Sequence, residues 1–387
     1  MMNGTAPVFV RSARRGSVLL IVLVSLVFAT AALLLFIEKA GTDLLVPIRE
    51  ADAARLRTEA YSALETTLAV LEDFRIVCDG LHSPAEGWGD PLGFAGYEPG
   101  EGRTVTVEVE DESAKLPLPS VKPNVIVSLF QHWGLSPTDA ERVSDSLLVW
   151  IRKDFTPTGI GASTVEDYDA LPLPFAPPER SLRSFAELSA IEGVRQAFFD
   201  EATGQPNELY QRFVQTFSLY DYESPNFNGN RLEPLIAQEI FDDMQSKRVA
   251  EYLAGAGGYQ SQGPGFFKNS RSIAAVAGAQ ADRIGYGFTV QALRITVTVR
   301  QDQASFRLSA VVAPEGGAKV VPASVAETAE AASNAPATPN APATAPSSTP
   351  ATAAPEATDL KYPFTFLEIR ENDSAVPTPV LSDEPTA

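Results

Sequence analysis

At 387 residues and 44% hydrophobic content, the chain is long enough to bury a core and to hold two domains besides any anchor. Forty-nine acidic residues against thirty dispersed basic ones give a net charge of −19, which repels polyanions and excludes nucleic acid as a partner. One cysteine, Cys78, excludes an internal disulfide and reads as a small buried apolar residue.

The first element is the uncharged apolar run Val18 to Ile37, in which fifteen of twenty residues are Leu, Ile, Val or Phe. A helix of that length spans a bilayer core, and at about −0.3 to −0.6 kcal/mol for each such residue the run favours insertion by roughly 5–9 kcal/mol. A cleaved secretory signal would have a shorter apolar stretch ending in small residues, and Ala29-Thr30-Ala31 lies inside this run. It is therefore an anchor. Arg11, Arg14 and Arg15 before it place the N-terminus in the cytoplasm and the bulk of the chain outside.

Helical periodicity continues through Leu56, Ala60, Leu64, Leu68 and Leu71, so a helix of more than fifty residues is expected, its outer half carrying one apolar stripe against a sheet. "RTVTVEVED" alternates with Val105, Val107 and Val109 on one face, the mark of a half-buried strand. From about Val121 to Ile284 helix signals dominate. Ser136, Pro137 and Asp139 open a helix running to about Ile151, "SFAE" repeats the device at Ser184 and Glu187, and "LIAQEIFDDM" reads as another short helix. "FTVQALRITVTVRQ" and "SFRLSAVVA" then form a hairpin around Asp302-Gln303. Ala318 to Thr358 is mostly Ala, Pro, Thr and Ser and reads as disordered, yet Phe364, Phe366 and Ile369 look like strand residues again. The low-complexity stretch is thus expected to be a loop swollen inside a sheet. One antiparallel sheet is expected from residues 104–110, 288–300, 304–313 and 363–370, packed on the helix of residues 50–74.

No GxSxG, HExxH, CxxC, Walker loop or complete GxGxxG is present, and the two histidines, His82 and His132, read as ordinary surface or boundary residues. Asp154, Glu166, Asp167 and Asp169 are either a solvated acidic loop or oxygen ligands for a hard cation, without EF-hand spacing. "FSLYDYESPNF" reads as core and edge strand.

Four segments resemble the type II secretion minor pseudopilin K family: "RRGS" before the apolar helix, "VEDESAKLPLP", the stretch "ERVSDSLLVWIRKDFTPTGIGASTVEDYDALPLPFAPPERSLRSFAELSAIEGV", and "SPNFNGNRLEPLIAQEIF". The likeness covers most of residues 12–312 and then Tyr362–Glu371. It implies an α+β fold with a long transmembrane spine helix, a pilin-like antiparallel sheet and an inserted all-α domain of SAM-like, helix-hairpin units. The implied division is a prepilin leader at 1–16, an N-terminal helix at 17–77 with its span at 18–37, and a pseudopilin α/β domain from 78–118, 285–313 and 360–372. The insert occupies 119–284 in two units, about 119–215 and 216–284, with a disordered loop at 314–359 and a disordered tail at 373–387.

The resemblance also implies cleavage by prepilin peptidase after Gly16, with Ser17 as the new, N-methylated terminus. Pilin-like subunits usually carry a glutamate at mature position five, where Ile21 stands here, which marks a tip position. The implied partners are minor pseudopilins I and J, other pseudopilins, the peptidase and the bacterial inner membrane, crossed once, with no catalysis. The resemblance implies that members can bind calcium near Asp154, but Arg152 and Ser163 stand where the family usually has acidic residues, so no cofactor is expected, with calcium at Asp154 as the alternative. The rival readings are a membrane-tethered periplasmic enzyme or ligand-binding protein and a pilin-like subunit of another filament.

Overall fold

The computed structural model describes residues 15–153, 155–159, 161–170, 174–278, 285–321 and 363–372. Leader residues 1–14, Asp154, most of the low-complexity loop and the tail from residue 373 lie outside the described residues.

The chain opens with helix α1 (Arg15–Cys78), sixty-four residues without interruption. Beyond the apolar span it buries Leu56, Ala60, Leu64, Leu68 and Leu71, the stripe that the sequence predicts. After the short helix α2 (Pro91–Ala95) comes β1 (Thr104–Asp111), whose odd-numbered residues are half-buried and whose even-numbered ones are exposed.

Next come β2 (Leu116–Pro117), α3 (Pro123–His132), α4 (Pro137–Ile151), α5 (Val165–Asp169), α6 (Glu192–Phe198) and α7 (Glu208–Thr216). Ser136 caps α4 by accepting from the Asp139 amide, with Pro137 at the first helical position. Ser184 also caps, but the element it opens is a 3-10 helix, Phe185–Ala190. These elements share one core around Phe130, Leu147, Leu188, Phe198 and Phe213. Gly193 brings α6 close to α4, for a Cβ there would meet Ser146 Oγ at 2.5 Å. A two-residue strand, β3 (Phe217–Ser218), pairs in parallel with β2, and Tyr220 and Tyr222 beyond it are buried.

α8 (Glu233–Ala237), α9 (Asp243–Ala254) and α10 (Ser270–Ala277) enclose a second core around Phe227, Leu235, Phe241, Val249 and Phe267. The single helix expected over "LIAQEIFDDM" is two. Glu239 adopts a left-handed φ of 56°, which ends α8, and Asp242 with Gln245 forms a capping box that starts α9.

β4 (Leu293–Gln301) and β5 (Ala304–Pro314) form the expected hairpin, turning at Asp302 with φ 51°, and β6 (Phe364–Glu371) completes an antiparallel sheet of order β1-β4-β5-β6. β4 starts five residues later than expected because the preceding backbone is bonded elsewhere. The amide of Gly287 donates to Pro225 O at 2.8 Å, that of Val290 to Leu81 O at 2.6 Å, and that of Gln291 to Ser113 Oγ at 2.8 Å. One face of the sheet, with Leu293, Ile295, Val297, Leu308 and Val312, lies on α1. Ala318 and Lys319, at the start of the stretch expected to be disordered, are held in place, since the Ala318 amide donates to Gln291 O and that of Lys319 to Asp221 O, both at 2.8 Å; residues 322–362 lie outside the described residues.

Candidate functional site

Two features stand apart from ordinary core and surface. The first is the window Leu19–Lys39 of α1, twenty-one residues of mean hydropathy 3.0, none of it buried in the chain. By length and composition it can cross a membrane, and a helix this apolar needs cover from lipid or protein. Gly16 and Ser17 lie just before this window, in the first turn of α1, and Ile21 is 60% exposed near the window's start. The geometry places these residues on one helix and leaves their processing and assembly roles as sequence-based expectations.

The second is a polar joint where four segments meet: the exit from α1, the end of β1, residues 218–230, and the lead into β4. Glu112 is 1% exposed, and its carboxylate accepts from Lys115 Nζ at 3.0 Å, Ser218 Oγ at 3.0 Å and Arg294 Nε at 3.3 Å. Burial works to raise its pKa, but Lys115 and Arg294 outweigh it and hold the carboxyl below its ordinary range. Its neighbour Asp111 accepts from Ser113 Oγ at 2.6 Å and from Asn226 Nδ2 at 2.7 Å. Burial, reinforced by the Glu112 charge, pushes the Asp111 carboxyl up to about 7 against these two neutral donors.

Asn226 Nδ2 also donates to His82 O at 3.0 Å, and the Asn226 amide donates to Ser113 O at 2.7 Å. His82 is itself buried, contrary to the sequence reading, with Nδ1 2.8 Å from Glu86 Oε1, while Glu86 Oε2 accepts from Trp88 Nε1 at 3.1 Å. Tyr222 donates its hydroxyl to Lys115 O at 2.7 Å. Gly229 lets this segment touch the turn after β1, for a Cβ there would overlap the Ala114 side chain. The sequence carried one signal for the joint. The alternation that turns Val105, Val107 and Val109 inward also turns Asp111 inward, and a carboxylate on a buried face needs partners.

The remaining singled-out residues do not converge. His132 is partly exposed, 4.0 Å from Glu233. Cys78, expected to be buried, is half-exposed at the end of α1. Asp167 accepts from the Thr164 amide at 2.7 Å, so part of the acidic stretch is a helix cap. Asp145 was missed. Its buried Oδ2 accepts from the amides of Thr158 and Gly159, both at 2.7 Å, and so pins the Gly-rich loop to α4. Arg152 donates to the carbonyls of Pro119 and Val121. Among the described residues no group of three or more His, Cys, Asp or Glu side chains is placed to hold a metal.

The fold is of the α+β class, with one long helix, apolar enough at its start to cross a membrane, packed on a four-stranded antiparallel sheet, and a helical body carried between β1 and β4. Residues 110–203, about a quarter of the chain, match the family model for type II secretion system protein K. A chain of the crystal structure of the GspK-GspI-GspJ complex from the enterotoxigenic Escherichia coli type 2 secretion system is similar at 13% identity and TM-score 0.47. The alignment covers 69% of this chain and 93% of that one. No curated protein matches the chain.

Proposed function

We propose that this chain is a minor pseudopilin at the tip of a type II secretion pseudopilus, where it joins minor pseudopilins I and J and starts filament assembly for the export of folded proteins. The observation that carries the reading is the match of residues 110–203 to protein K. Two physical arguments support the position. In a greasy bundle of spine helices a carboxylate is tolerated only when paired with an amine, and Ile21 spares a terminal subunit that requirement. The body of helices and turns between β1 and β4 would also collide with neighbours in a tightly stacked shaft, whereas the end of a filament leaves it free space.

The same reading has the chain enter the inner membrane once through residues 18–37, N-terminus in the cytoplasm, with cleavage by prepilin peptidase between Gly16 and Ser17 and methylation of Ser17. The division into leader, spine helix, pseudopilin domain and two-unit insert belongs to this proposal. Its function is association through packed surfaces, with no reaction to catalyse.

The test is co-purification of the full chain from membranes with the I and J subunits of its own system, together with secretion in a deletion strain. Capture of both and loss of secretion are expected. Full secretion in the deletion strain and binding to neither subunit would overturn the reading.

A further inference from the structure

The joint holds two adjacent carboxylates and distributes its cations unevenly. Lys115 and Arg294 both sit on Glu112, and among the described residues Asp111 makes no ion pair. The charged and titratable groups around Asp111 are Glu110, Glu112 and Lys115 on its own stretch, His82 and Glu86 on the loop leaving α1, Tyr222 and Arg231 on the segments flanking Asn226, and Arg294 on β4. Burial together with the Glu112 charge pushes the Tyr222 hydroxyl well above its ordinary range, so it stays neutral from pH 5 to pH 8. Arg231 bonds Glu110 at 3.1 Å, Lys115 also reaches Glu110 at 3.3 Å, and Glu86 faces His82. Every cation here is thus engaged with another carboxylate.

Ionised, Asp111 places a second negative charge beside Glu112 with neutral donors alone to meet it, the Ser113 hydroxyl and backbone amide and the Asn226 side-chain amide. Protonated, it removes that repulsion and keeps its hydrogen bonds, since the Ser113 hydroxyl can rotate to accept. Through Ser113 and Asn226 the carboxyl touches both sides of the junction, because Ser113 Oγ accepts the Gln291 amide before β4 and Asn226 belongs to the helical body. Asp111 keeps a little solvent exposure, so it can exchange protons without unfolding.

We propose that Asp111 is a proton-responsive latch between the sheet and the helical body, closed when the carboxyl is neutral in mildly acid medium and loosened as the medium approaches neutrality. An opened joint returns Asp111 to its ordinary acidity near 3.8 while the closed joint holds it near 7. The folded value being the higher, closure is firmest below the lower value and weakens as pH rises between the two. From pH 5 to pH 7.5 that gap permits an increase in opening on the order of fiftyfold.

The experiment is amide hydrogen exchange on the full chain in detergent at pH 5 to 8, corrected for intrinsic exchange, read at Ser113, Asn226 and Gln291. Wild type should lose protection by tens of fold across the window, Asp111→Asn should stay flat within about twofold, and His82→Gln should follow wild type. Flat wild-type protection, an Asp111→Asn curve as steep as wild type, or loss of the slope in His82→Gln would overturn the proposal. Should Asp111→Asn fail to fold, carboxyl-carbon NMR titration of Asp111 in the wild type decides: a midpoint near 7 supports the latch and one near 4 overturns it.

Discussion

Replacing Ile21 with glutamate separates anchoring from assembly. The window Leu19–Lys39 is about 30 Å long at 1.5 Å per residue, so position 21 lies only about 3 Å from its start, whereas Ala29 lies about 15 Å from either end. A charged side chain at the helix centre costs about 2.5–3.5 kcal/mol on insertion, against the roughly 5–9 kcal/mol that the aliphatic residues and phenylalanines supply. Even Ala29→Glu therefore leaves insertion favourable by about 2–6 kcal/mol, and the carboxylate of Ile21→Glu, near the boundary, costs less because it can reach the headgroups. Alkaline extraction of membranes should find both variants retained at wild-type levels. In a packed bundle of spine helices the same carboxylate has no amine partner, a penalty of several kcal/mol, so secretion should fall in Ile21→Glu while Ile21→Leu stays normal. Extraction of Ile21→Glu from the membrane would refute the depth argument, and unimpaired secretion would refute the packing argument.

Leu64→Ala should destabilise the helix-on-sheet core by about 2–5 kcal/mol, because Leu64 is 2% exposed among Leu293, Val297 and Leu308. Trp88 lies in the same core, and its fluorescence during denaturant unfolding reports the loss; a change below about 1 kcal/mol would mean that the helix does not depend on this contact. Glu112→Gln should cost about 3–5 kcal/mol near pH 7 by leaving Lys115 and Arg294 without their shared carboxylate. Glu112 has its folded pKa depressed, so its stabilisation is present above about pH 4.5 and lost as pH falls. The gap in thermal unfolding between wild type and variant should accordingly narrow as pH falls below about 4.5, and a gap that does not change with pH would show that the loss is one of packing.

The elements legible in the sequence are those whose partners are local or periodic. The stripe from Leu56 to Leu71, the valines of β1, the turn at Asp302 and the cap at Ser136 each carry their signal within a few residues, and each formed where expected. The joint did not announce itself because its partners are scattered from His82 to Arg294 along the chain, and no spacing rule brings Asp111 to Asn226. The late start of β4 has the same cause, for alternation counts apolar residues and cannot tell that Val290 and Gln291 give their amides to Leu81 and Ser113. Asp145 stands within the helix that the Ser136 cap announces, yet its job is to accept two amides from a loop more than ten residues away.

The sheet bears on the order of folding. Asp111 at the end of β1 pairs with Leu293 at the start of β4, so neighbouring strands are joined through residues 112–292 where a hairpin would use two to five. Closing a flexible loop of some 180 residues costs about 3 kcal/mol more than closing a four-residue turn. That entropy falls away once the intervening helices have formed, because their entry and exit then lie side by side, with the Ser113 amide 3.2 Å from Ala292 O. The tight β4–β5 hairpin carries no such cost, so within the sheet it is β1 whose pairing gains most from a helical body already formed.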